Sequence, residues 1–148
     1  MLIKFIILGQ PQSKANSRQL VTINDHPAFV KSKAALAYER DALLQIPPKA
    51  RLALTCDVRV TIRIFYTTQL PDLDESLILD VLQHRWKGKG EKRQLIQRGV
   101  YANDRQVREK HVFHRIDRAN PRAEIEIEPL GAININLFAE AEEAACST

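Results

Sequence analysis

The chain has 148 residues, 45% of them hydrophobic, with a mean hydropathy of -0.28 and a net charge of +4. That is enough for one buried core and too little for two, and it excludes a membrane-embedded protein. The two cysteines, Cys56 and Cys146, form neither a C-x-x-C motif nor a secreted framework, so they read as reduced thiols of a cytoplasmic protein.

Charge is unevenly spread. Residues 130–148 hold Glu140, Glu142 and Glu143 and no Lys or Arg, so removing three negative charges from +4 leaves a body at +7. Within that body "HRWKGKGEKRQLIQR", His84 to Arg98, has six Lys/Arg against Glu91 alone. A basic face of this kind suits nucleic acid.

In chain order, Leu2 to Leu8 is almost wholly apolar and carries Lys4, too short for a signal peptide or a membrane span. It reads as a strand buried on both faces. "GQPQSKANSRQ" then reads as a polar loop, "INDHP" as a turn, and the segment from about Phe29 to Gln45 as a helix closed by Pro47 and Pro48. From Ala53 to Tyr66 apolar and polar residues alternate, the signature of a half-buried strand.

After Pro71 the period becomes helical. Leu77, Ile78, Val81 and Leu82 form a stripe able to pack on a sheet, with Asp74 as the expected N-cap. Beyond the glycine-punctuated basic segment, "EKRQLIQRG" reads as a short helix ended by Gly99. Strands are expected at Val107 to Ile116 and Ala123 to Glu128, paired as a hairpin through "DRANPR", and a terminal helix in "LFAEAEEAA". The fold class is therefore α+β, within the wider α/β group: a single domain with a mixed β-sheet packed by helices.

The residues that carry chemistry are acidic. Asp72 and Asp74 stand where a strand end meets a helix start, a place where hard cations collect oxygen ligands. "GVYANDRQV" offers Asp104 in a turn between elements, and the three could converge if the neighbouring strands are adjacent. His111 and His114, three apart in a strand, face opposite sides and are poor co-ligands. No phosphate loop, zinc spacing or nucleophile elbow occurs.

"PDLDESLILDVL" followed by "GVYANDRQV" resembles the RusA family of phage and prophage Holliday junction resolvases, over roughly residues 1–129, with residues 130–148 as an acidic tail and about 84–98 as a basic insertion. The resemblance implies a Mg2+- or Mn2+-dependent endonuclease, acting as a homodimer in a bacterial or phage-infected cell, that nicks opposed strands of a four-way junction. Asp72, Asp74 and Asp104 would be its catalytic, metal-binding carboxylates. The chain departs from the family in having Glu75 where Asn follows the second aspartate, Asn103 in place of the first turn aspartate, and Ile78 where a functional lysine stands. Moving the alignment by two residues matches Asp80 to a helix aspartate of the family. Lys87 or Lys89 of the insertion is a possible substitute for the lysine.

DNA contacts are expected from Lys14 and Arg18 in the first loop, Lys31 and Lys33 at the helix start, and Arg85, Lys87 and Lys89, with Trp86 stacking on a base or packing on the sheet. The alternative is a branched-DNA-binding protein of the same fold with weak or no catalysis, which the missing lysine permits. A more distant one is an interaction module that uses the acidic tail.

Overall fold

The computed structural model describes residues 1–13 and 15–131; Lys14, and the acidic tail with its expected terminal helix, lie outside the described residues. The elements are β1 Ile3–Leu8, β2 Arg18–Ile23, β3 His26–Lys31, α1 Lys33–Gln45, β4 Val58–Tyr66, α2 Ser76–Leu82, β5 Arg85–Lys87, β6 Gln94–Gln97, β7 Val107–Ile116 and β8 Arg122–Pro129. The fold is α+β. One four-stranded sheet has the order β1-β8-β4-β7, while β2–β3 and β5–β6 are separate two-stranded hairpins.

The sheet is built around β4, whose strict alternation buries Val58, Val60, Ile62, Ile64 and Tyr66 on one face. A strand with one apolar face has its register fixed, because a one-residue slip would turn that face to water. β4 is antiparallel to β8 and parallel to β7. Parallel neighbours need a crossover, and α2 with the β5–β6 hairpin supplies it. Leu77, Ile78, Val81 and Leu82 of α2 are all buried, as their spacing predicts, together with Ala35, Tyr38 and Ala42 of α1. Ser32 caps α1, its Oγ accepting from Ala35 N at 3.2 Å, and the helix closes at Ile46 ahead of Pro47.

Several expectations are corrected. β1 is an edge strand over a single core, so only Ile3, Phe5 and Ile7 are buried and its other face is open. The segment before α1 is not one loop followed by helix: Arg18–Ile23 and His26–Lys31 pair in a hairpin turned at Asn24 and Asp25, both with positive φ. The helix therefore begins at Lys33. The strand expected from Ala53 is regular only from Val58, because Ala53 has φ +53° and Leu54 makes an isolated bridge to Tyr101. "EKRQLIQRG" is not a helix; its Gln94–Gln97 pairs with Arg85–Lys87.

β7 and β8 do not pair with each other, because β4 lies between them. Residues 117–121 cross its end instead, braced by Arg122, which donates to Asp117 Oδ2 at 2.7 Å. Cys56 is disulfide-bonded, which corrects the reading of reduced thiols; short-motif spacing does not reveal such a bond. Among the described residues no helix is long and apolar enough to cross a membrane.

Candidate functional site

The expected aspartates fall at two ends of α2. At the first end, Tyr66 finishes β4 and its hydroxyl both donates to Asp72 O at 3.1 Å and accepts from Asp74 N at 3.3 Å. His114 stacks on the Tyr66 ring with centroids 4.6 Å apart and donates from Nε2 to Pro71 O at 3.0 Å. Two aromatic side chains thus pin the Pro71–Asp74 segment. Burial pushes the Tyr66 hydroxyl pKa up, and the charges of Asp74, Glu75 and Asp72 add to the rise.

Asp74 has a structural task. Its Oδ1 accepts from Ser76 N at 2.9 Å and from Ser76 Oγ. The N-cap is Glu75 rather than Asp74, and its side chain makes no capping bond. Asp74 does that work from one place earlier, as an Asx turn. Glu75 is paired with Lys110 at 2.5 Å.

At the other end, Asn103 and Gln106 form a capping box around the short turn Asp104–Gln106. Gln106 Nε2 also donates to the carbonyls of Leu54 at 2.7 Å and Cys56 at 2.8 Å. The turn is locked by these residues, while Asp104 is exposed and its amide donates to Gln83 Oε1 at 3.1 Å, just past the end of α2. Asp72–Asp74 follow the end of β4, whereas Asp104 precedes the start of its parallel neighbour β7. Only the return of the chain along α2 brings them nearer, and the helix keeps them apart by about its own length, ~10 Å.

Asp72 and Asp74 thus stand ahead of α2, and Asp104 is tied by its amide to Gln83 just past the end of that helix. Among the described residues no group of three or more His, Cys, Asp or Glu side chains could hold a metal ion. The charge of Asp104 is felt at Asp80, the one charged residue of α2. Burial pushes the Asp80 carboxyl up in pKa; Lys31 and Arg18 pull it down, and Asp104 and Glu39 push it further up. A half-buried carboxylate on an otherwise apolar helix is costly in stability terms, which makes it a functional candidate.

A narrow cavity of about 60 Å³ runs along α2 past Ser76 and Asp80, with Arg18 and Lys31 on its opposite wall. A second, of about 380 Å³, opens between Lys31, Asp80, Arg85 and Trp86. The expected cations are thus divided. Arg18, Lys31 and Arg85 border the Asp80 cavities, whereas Lys33, Lys87 and Lys89 are exposed. Lys31 lies at the end of β3, not at the helix start.

Lys31 and Arg85 share a buried anion. Glu39 of α1 is 5% exposed and accepts from Lys31 Nζ at 2.5 Å and from an Arg85 guanidinium nitrogen at 2.6 Å. Burial alone would raise its pKa, but the two cations outweigh burial and hold the carboxyl below its ordinary value. Glu39 thereby clasps the two hairpins together. Sequence reading missed it, since a single glutamate inside a helix carries no pattern. Ile78, where the family lysine would stand, is fully buried.

For a divalent cation, the donor set fits a modest site only. Mg2+ is commonly held by one or two carboxylates with water and substrate phosphate completing the shell, and Asp80, which lines both cavities, offers one such carboxylate. No protein-family model matches the chain, and no curated protein matches it.

Proposed function

We propose that the protein is a RusA-like, divalent-metal-dependent endonuclease acting on branched DNA. The observation that carries this reading is Asp80, a half-buried carboxylate that lines two cavities shared with Arg18, Lys31 and Arg85. The cations attract and orient a phosphodiester. Asp80 and Asp104 would hold Mg2+ or Mn2+, which when bound supplies Lewis-acid stabilisation of charge on the phosphate oxygens. Asp74 starts α2, and Asp72 is held beside it. Two copies related by a two-fold axis would address the two opposed strands of a four-way junction, one site for each.

A second reading is a branched-DNA-binding protein without efficient cleavage. It is favoured by the buried Ile78 at the family's lysine position and by the lack, among the described residues, of a three-donor metal group. Incubating a labelled mobile four-way junction with the protein, with and without Mg2+, separates the two. Paired nicks that need the ion and vanish in Asp104→Asn support the endonuclease. Junction binding without nicks at any Mg2+ or Mn2+ concentration overturns it in favour of the binding protein.

A further inference from the structure

We propose that the cavity between β3, α2 and the β5–β6 hairpin binds one unpaired nucleotide, its base on Trp86 and its phosphate between Lys31 and Arg85. The proposal deepens the reading above and rests on its nucleic-acid substrate class, but not on cleavage.

Trp86 is not a core residue: it remains 39% exposed on the hairpin. It is nevertheless held in place. The Arg93 guanidinium carbon sits 4.0 Å from its ring centroid, and His84 meets it edge-on with centroids 5.9 Å apart. An exposed aromatic fixed by a cation and a second ring is preorganised for stacking, so little rotamer freedom is lost on binding. His84 is itself tied down, its Nδ1 accepting from Gly99 N at 2.9 Å.

The adjoining cavity, about 380 Å³, has Lys31, Asp80, His84, Arg85, Trp86 and Ile96 among its lining residues. Its apolar side is thus Trp86 with Ile96, and on its polar side Lys31 and Arg85, both also paired with Glu39, stand with Asp80. A nucleotide has the same division, a flat π-face joined to an anion. A base paired in a duplex has its faces covered by neighbours and cannot reach such a ring, so the site selects single-stranded or junction nucleotides. Lys87, Lys89 and Lys92 on the same hairpin extend the positive surface along which the flanking backbone runs.

Trp86 is the sole tryptophan, so the intrinsic fluorescence of the full chain reports this residue alone. The experiment titrates the protein at low salt, without divalent ions, with a short oligothymidylate and with a blunt duplex of equal length. Saturable quenching by the oligothymidylate, with little by the duplex, is the expected result. Anisotropy of a labelled oligothymidylate should show Trp86→Ala weakening binding roughly 5- to 150-fold, the range for one lost base–aromatic stack, and Trp86→Phe recovering most of it. Equal quenching by both DNAs, no quenching, or unchanged affinity in Trp86→Ala overturns the proposal. Nicking of junctions is scored separately: quenching without nicking keeps the nucleotide site and removes the endonuclease, and nicking without quenching does the reverse.

Discussion

The two ends of α2 carry similar residue types and different physics. Around Tyr66, Asp74 is satisfied by Ser76 and Glu75 by Lys110, and the backbone of Asp72 and Asp74 is held by the tyrosine hydroxyl. Around Asp80, burial and a neighbouring aspartate oppose ionisation while Lys31 and Arg18 support it. The first arrangement lowers the energy of the fold. The second spends some stability to keep a charge beside a cavity, which is the pattern expected where a ligand completes the balance. Carboxylates next to a helix start are conspicuous in a sequence for the same reason that they are well satisfied in the fold.

The largest way to break this contrast is cleavage itself. Asp80→Asn should lower junction nicking roughly 10²–10³-fold, the scale of a lost electrostatic contact in the transition state, while Asp74→Asn, which keeps an Oδ1 acceptor for Ser76, changes it little. A single-turnover assay giving the opposite ranking would move the site to the Tyr66 end.

Next is Gly99→Ala. A Cβ there would lie 2.4 Å from the carbonyl carbon of Gln83, backbone against backbone, where the chain seals the Asp104 end of α2. A loss of about 3 kcal/mol in denaturant unfolding is expected. Glu39→Gln removes the anion shared by Lys31 and Arg85. Both cations are about a third exposed and can rehydrate, so the cost should be about 1–3 kcal/mol, below that of a fully buried pair. Because the folded pKa of Glu39 is lowered, its contribution is complete above the ordinary carboxylate range and is lost as pH falls through the lowered value. A wild-type stability curve steeper in that acidic window than the curve of the variant checks the sign.

Smaller effects sharpen the comparison. Tyr66→Phe and Asp74→Ala should each cost about 1 kcal/mol, from one hydroxyl network and one helix-start bond. Asp80→Asn should do the reverse and raise stability by a few tenths of a kcal/mol, discounted because the group is half in solvent. Calorimetry that found Asp80→Asn destabilising would mean that the carboxylate serves the fold.

Much of this was legible in the sequence. The alternation from Val58 to Tyr66, the stripe of α2, and the alternation of β8 across Glu124–Glu128 were set by period alone. The two hairpins were not. β2–β3 exposes Leu20 and Phe29 opposite each other, so its strands lack the inside-outside pattern that a core imposes. In β5–β6 the dense charge hid a strand whose pairing shifts at Trp86. Asp72 and Asp74 lie past the end of β4 and Asp104 before the start of β7, and a parallel β4–β7 pair puts those two points at opposite ends of the strands. Glu39, unremarkable in sequence, came to the site through α1, and Lys31, expected at a helix start, came to it through the β2–β3 hairpin.

The position of β8 has a temporal consequence. Among the described residues it is the last of the sheet strands in sequence, yet it lies between β1 and β4, and it is the strand to which β1 is hydrogen-bonded. During synthesis β1 must wait until residues 122–129 have emerged, which at about 5–20 residues per second is on the order of 6 to 25 s. Through that interval an apolar strand edge stands open. β1, made first of the sheet strands described, therefore joins the sheet among the last.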